Sequence, residues 1–338
     1  MWKLTLDDTI RNDYLEKMLP DLIKRIQAWK GEGSNGRKIT LDHIQFRKRL
    51  LPDYNEKNPK EKETLVKLLI AKPDEAYRIN NSLMKQFIRG YNESELAKKK
   101  LPDKYITPLK ILESIFDYNG QISKSKSKSY WIAERIGRNT CTYCNRQYTF
   151  TINGKNDAER ISRPAFDHWF PKSLFPLLSL NIYNLIPCCT VCNSGAKGST
   201  IFKLDTHIHP YMQEDDDPDF KFIPQVSDQE GSWNVVLSRD PVQNPMVDNT
   251  IKAFGLDQIY NMHGNLEVKD LIEFAQAYNP TYLKNIFEKM KKDYGSLGYS
   301  QEDVYRILFG TEALASLFLD RPLSKLKHDL LKYLQIIS

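Results

Sequence analysis

No apolar run in this 338-residue chain approaches the roughly 18 residues that a membrane helix needs. The first residues, Met1-Trp2-Lys3-Leu4-Thr5-Leu6-Asp7-Asp8, lack the apolar stretch of a secretory signal, so the expected location is the cytoplasm, with no membrane partner. Cysteine is scarce, five residues in all, and four of them sit in two tight pairs within one short region. A disulfide framework would spread its cysteines along a small secreted chain, so this arrangement points instead to metal thiolates in a reducing compartment. No internal repeat is present, which excludes a repeat architecture.

What is there is the composition of a soluble globular protein, 41% hydrophobic and 27% charged, with length for about two domains and room for three small lobes. The net charge of +6 is unevenly placed. Residues 121 to 205 hold 12 Lys and Arg against 5 Asp and Glu, whereas residues 206 to 338 hold 13 against 20. Residues 1 to 120 hold 24 against 18, so a basic front two-thirds stands next to an acidic tail, which fits a polyanion-binding core beside a separate helical lobe suited to a protein partner.

The first 120 residues read as helical, with apolar residues recurring at helical spacing from Tyr14 to Trp29 and from Glu63 to Ile70. Gly31 to Gly36 and the prolines Pro52, Pro59, Pro73 and Pro102 break this pattern into several short helices. The alternating Ser and Lys run after Gly120 reads as a flexible linker and domain boundary. Farther on, Glu214 to Asp219 reads as an exposed acidic loop, and Phe220 to Ile223 with Trp233 to Leu237 as a hairpin. A helix is expected from Gln301 to Phe318, opened by a capping box of Ser300 and Asp303 and broken before Pro322. The expected architecture is α+β: a helical lobe over 1-120, a central domain over 121-212, and a hairpin followed by helices over 213-338.

The chemistry lies between Cys141 and Lys197. Cys141 and Cys144 form one Cys-x-x-Cys pair, Cys189 and Cys192 another, and four thiolates close a tetrahedral zinc site with no open position, as a structural metal requires. Cys188 could replace Cys189, but only Cys189 gives both pairs the same spacing. Between the pairs, Phe166-Asp167-His168 precedes Pro171, and the upstream Tyr148 to Ile152 with Asn153-Gly154 suggests a short hairpin ending at the Asp-His pair. Neighbouring residues on a strand face opposite sides, so both could serve one phosphate only at a strand end. A carboxylate supplies a hard oxygen ligand for Mg²⁺ and an imidazole a base near neutral pH, the groups that metal-assisted phosphodiester hydrolysis needs. Asn193 offers a further carbonyl oxygen, and Asn184 is suited to tying a loop backbone. His207 and His209 lie two apart and read as packing residues, while Arg146, Lys172 and Lys197 are candidate phosphate contacts.

The series Cys-x-x-Cys, Asp-His-x-x-Pro-Lys-Ser, Asn-Leu-Ile-Pro, Cys-x-x-Cys-Asn and Lys-Gly, over residues 141 to 211, resembles the HNH, or ββα-metal, endonucleases with four-cysteine zinc knuckles. The resemblance implies that His168 activates water, that Asp167 and Asn193 bind a catalytic Mg²⁺ or Mn²⁺, that Asn184 is the structural asparagine, and that DNA is the substrate. Asn193 stands where other members have a final histidine. With its flanking lobes the chain is also similar to bacterial standalone HNH anti-phage effectors such as the nuclease subunit of Septu-type systems, which implies an ATPase partner. Two other readings fit the same residues: an RNase of this fold, or a zinc-dependent nucleic-acid-binding module without catalysis.

Overall fold

Helices form where the sequence supplies both a cap and a face to bury. Asp7 accepts a hydrogen bond from the Ile10 amide and opens helix Asp8–Ala28, whose Tyr14, Met18, Leu22, Ile23 and Ile26 are buried. The computed structural model describes residues 2–29, 63–155, 159–198, 200–277 and 280–337. Gly31 to Gly36, Pro52 and Pro59, read above as breakers, lie outside them. Helix Glu63–Ile70 follows the expected bounds, and Pro73 opens helix Pro73–Phe87 at a position where its missing amide hydrogen costs nothing.

The Ser-Lys stretch after Gly120 is not a linker. Asn119–Ser123 forms a π-helical turn, and Ser125 then caps helix Lys126–Ile136 by accepting from the Lys128 amide. That helix buries Ser129, Tyr130, Ile132, Ala133 and Ile136, and Lys128 pairs with Asp21 at 2.6 Å. The low-complexity composition hid a cap and an apolar face that begins only at Tyr130.

Two small antiparallel sheets complete the mixed fold. Strand β1 (Ala165–His168) pairs with strand β2 (Leu185–Cys188), with Ala165 opposite Cys188 and His168 opposite Leu185. The expected partner of β1, the upstream segment around Tyr148 to Ile152, instead makes only isolated bridges, Thr140 with Tyr148 and Ile152 with Ser162. The reason is burial: β2 is buried along its whole length, whereas Tyr148, Phe150 and Ile152 remain exposed. Strand β3 (Lys221–Val226) pairs with strand β4 (Trp233–Ser238), as the hairpin pattern predicts. Gly264 passes so close to β4 that an added Cβ would lie 1.9 Å from the Trp233 carbonyl oxygen.

In the C-terminal third, Ser300 and Asp303 form the expected capping box, but the helix they open spans Gln301–Phe309 and stops early. Gly310, at φ +63°, terminates it in the left-handed region, and a 3₁₀ segment, Ala315–Asp320, follows. The acidic stretch is a loop, yet Asp216 and Asp217 pair with Lys3 and Lys325 at 3.5 and 2.6 Å. No helix among the described residues is long and apolar enough to cross a membrane.

One hydrophobic cluster runs from Trp2 and Leu4 through the cysteine region to Leu326 and Leu330. Its polar tethers matter for the site. The Tyr14 hydroxyl donates to the Leu180 carbonyl at 2.7 Å, and the Asn181 amide donates to the carbonyls of Leu68 and Ala71 at 3.0 and 3.1 Å. The N-terminal helices therefore hold the loop that joins β1 to β2.

Candidate functional site

The two Cys-x-x-Cys pairs meet. The sulfurs of Cys141, Cys144, Cys189 and Cys192 all lie within 4.8 Å of one another and all four residues are buried, an arrangement that could hold a metal ion such as zinc. A tetrahedron with metal–sulfur bonds of about 2.3 Å has edges of roughly 3.8 Å, close to the 4.0 Å between Cys144 Sγ and Cys189 Sγ. Burial pushes the Cys141 thiol well above its usual range, whereas hydrogen bonds from the neighbouring sulfurs, Cys141 first, hold Cys189 below it. Four buried thiolates at this spacing need a dication to coexist. Cys188 is outside the group, at the end of β2, where burial raises its thiol pKa, so Cys189 is the fourth member.

The first knuckle is built on a left-handed residue. Asn145, at φ +48° and fully buried, donates its amide hydrogen to the Cys141 carbonyl at 2.8 Å. Its side chain donates to the carbonyls of Phe318 and Arg321 at 2.6 and 3.0 Å and accepts from the Ser324 amide at 3.1 Å. The Tyr260 hydroxyl donates to the Cys144 carbonyl. The knuckle is thus bolted to the C-terminal third.

Asp167 and His168 end β1, the strand-end position that the Asp-His pair requires, but their side chains meet different neighbours. His168 is 8% exposed, and its Nε2 lies 3.0 Å from the Ser179 carbonyl oxygen. A carbonyl only accepts, so in the neutral ring Nε2 carries the hydrogen and Nδ1 the lone pair. Nδ1 has no hydrogen-bond partner among the described residues. Tyr118 packs edge-on against the ring at 4.3 Å between centroids, and burial drives the His168 pKa down to about 3.

Asp167 is buried and already engaged. Lys197 Nζ lies 3.0 and 2.8 Å from its two oxygens, and the Tyr143 hydroxyl donates to Oδ2 at 2.7 Å. Lys197 is therefore not the surface phosphate contact that its charge suggests. It is 2% exposed, and burial lowers its pKa although Asp167 pulls the other way. Asn193 sits in the π-helical turn Val191–Lys197, half-buried, with no side-chain hydrogen bond to Asp167 or His168 among the described residues. Lys172 reaches the Asn119 side chain at 2.9 Å and lies over the Tyr118 ring, while Arg146 Nε is buried with no hydrogen-bond partner among the described residues.

Asn184 does what a loop-tying asparagine should. Its Oδ1 accepts from the Phe170 amide at 2.7 Å, and its Nδ2 donates to the carbonyls of Phe170 and Leu178, both at 3.0 Å. The residue fixes the chain on both sides of Ser179. Asn184→Ala strands the buried amide and carbonyl of Phe170, while the Leu178 carbonyl keeps the Asn181 amide, and at about 1–3 kcal/mol for each unsatisfied group the loss of unfolding free energy is expected at about 2–6 kcal/mol. Asn184→Asp, which keeps only the acceptor, should recover little of it; urea unfolding of the two variants checks this, and wild-type stability in both would refute the tie.

His207 stacks on Phe202 at 4.3 Å and His209 packs against Trp169 at 4.6 Å, so both are packing residues. His209 also accepts the Tyr211 amide hydrogen on Nδ1 at 3.3 Å. Burial lowers the His209 pKa to about 3, below the unfolded value of about 6.5. The unfolded chain therefore binds this proton first, and the associated stability is fully present above about pH 6.5 and is lost as the pH falls toward 3, by about 1.4 kcal/mol per pH unit. Melting from pH 7 to 5 should show a steeper fall in Tm for wild type than for His209→Asn, which keeps an acceptor for Tyr211; equal slopes would contradict this.

Sequence reasoning missed Tyr143, Tyr118, Asn145 and Ser179. Tyr143 and Asn145 flank Cys144 and were open to inspection, whereas Ser179 acts through its backbone, which leaves no mark in residue type.

No family model matches this chain, and no solved structure matches it. A stretch of 51 residues is 39% identical to Protein ea31 of Escherichia phage lambda, which covers 14% of this chain and 17% of that protein.

Proposed function

We propose that the chain is a metal-dependent endonuclease of the HNH, ββα-metal type, cutting DNA phosphodiester bonds, with a structural zinc in the four-cysteine site. The observation that carries this reading is the state of His168: Nε2–H is held by the Ser179 carbonyl, Nδ1 keeps its lone pair, and the Asp167 carboxylate is one residue away. The order of elements supports it too, since β1 ends at Asp167-His168, β2 runs into the second cysteine pair, and the helical turn Val191–Lys197 follows.

His168 takes a proton from the attacking water at Nδ1. Its Nε2–H remains on the Ser179 carbonyl, which orients the ring and stabilises the imidazolium that forms. The low pKa means that the accepting form is present at every pH above about 3, and an arriving phosphodiester anion raises the value toward the range where base catalysis is efficient. Asp167 and Asn193 would hold the catalytic Mg²⁺ or Mn²⁺, which when bound supplies Lewis-acid stabilisation of the phosphate and leaving oxygen. The cradle suits a cation, because it already gathers four oxygens around the Lys197 ammonium.

Zinc-loaded protein incubated with supercoiled plasmid and, in parallel, with structured RNA tests the reading. Nicking or linearisation with Mg²⁺ or Mn²⁺, abolished by EDTA, is the expected result. Cleavage of RNA alone would move the assignment to an RNase, and metal-independent binding without cleavage of either would leave a nucleic-acid-binding module.

A further inference from the structure

We propose that Lys197 is the resident occupant of the cation position at Asp167, and that a divalent ion enters there only by displacing the Lys197 ammonium. The inference rests on the reading above in taking Asp167 as the divalent-ion ligand.

Lys197 Nζ lies 3.0 and 2.8 Å from the Asp167 oxygens, 2.5 Å from the His168 carbonyl oxygen and 3.3 Å from the Trp169 carbonyl oxygen. An ammonium has three hydrogens, so four oxygens around one nitrogen make a cradle rather than a pairwise bridge. With Tyr143 donating to Oδ2, both carboxylate oxygens are engaged on the protein side. A dication on the same carboxylate would stand beside the ammonium in a buried setting, where like charges are poorly screened. The two occupants therefore exclude each other.

The local chain is suited to the exchange. Lys197 is the last residue of the turn Val191–Lys197 and is followed by Gly198 in a positive-φ conformation. Among the described residues, apart from the adjacent chain and local helix backbone, nothing lies within 4 Å of a Cβ placed at Gly195 or Gly198, so the backbone flanking the lysine is not wedged by those neighbours there. Apart from the cradle, the ammonium lies over the face of Phe202, 4.9 Å from the ring centroid.

Mn²⁺ binding to the zinc-loaded full chain, followed by electron paramagnetic resonance and calorimetry, tests the exclusion without reference to catalysis. Lys197→Met, an uncharged side chain of similar length, is expected to bind Mn²⁺ about tenfold or more tightly than wild type, because no ammonium competes. Adding Asp167→Asn should abolish that gain. Equal affinity in wild type and Lys197→Met, weaker binding in the variant, no binding by either, or a gain that survives Asp167→Asn would each overturn the proposal. If Lys197→Met does not fold, wild type still decides: acylation of Lys197, read by peptide mass spectrometry, should be slow in the apo site and about tenfold or more faster at saturating Mn²⁺. An unchanged rate overturns displacement. A chain that gains Mn²⁺ affinity yet cleaves no substrate keeps this inference and discards the nuclease; metal-dependent cleavage with no gain does the reverse.

Discussion

Removing the metal from the four-cysteine site is expected to unfold the centre of the molecule and release the C-terminal third from it. Binding free energies at such sites are on the order of 10 kcal/mol, comparable with the total stability of a domain, so the apo centre has little left to hold it. The knuckle passes the effect on. Asn145 joins Cys141 to Phe318, Arg321 and Ser324, and Thr140 donates to the Leu319 carbonyl at 2.7 Å. Hydrogen exchange after chelation should therefore rise at residues 141–145 and 318–324 together, while helix Asp8–Ala28, which packs with Glu63–Ile70, retains protection. Elemental analysis should find one zinc per chain, lost in Cys141→Ser, Cys144→Ser, Cys189→Ser and Cys192→Ser, and kept in Cys188→Ser. Zinc loss in Cys188→Ser with retention in Cys189→Ser would contradict the assignment of the fourth ligand.

The gathering of these four cysteines was legible because spacing alone constrains it: two residues between cysteines suit one metal, and Cys189 repeats the spacing of the first pair. Asn184 was legible for a similar reason, as an amide that both donates and accepts beside an Asn-Leu-Ile-Pro segment reads as a backbone tie. Strand pairing was not. Tyr148 to Ile152 has the β-prone residues of a partner for Asp167-His168, but which strand joins β1 depends on which one the core buries, and that is β2. The helix after Ser125 was hidden because its first residues are a polar alternation and its apolar face begins only at Tyr130. Lys197 shows the limit for charge: beside a glycine and close to the cysteines it reads as a phosphate contact, and only the fold reveals that its partner is a buried carboxylate 30 residues earlier.

Replacing His168 should have the largest effect on activity. The ring supplies the only lone pair placed for proton abstraction in the proposed mechanism, and loss of a general base costs on the order of 10² to 10⁴ in rate. The substitution must separate chemistry from support, because His168 also satisfies the Ser179 carbonyl and packs against Tyr118. His168→Ala leaves that carbonyl unpaired, at a cost of about 1–3 kcal/mol in stability. His168→Gln is the stricter variant, since its amide can still donate to Ser179 while offering no base. Both should retain zinc and a cooperative melt.

The measurement that bears most directly on the central claim is single-turnover cleavage of supercoiled plasmid in Mg²⁺ by wild type, His168→Ala and His168→Gln, with zinc content and melting recorded on the same preparations. A zinc-loaded, folded His168→Gln slower than wild type by about 10² to 10⁴ is the predicted result. The same variant, equally folded and cutting at the wild-type rate, would contradict the account, because the base would then lie elsewhere.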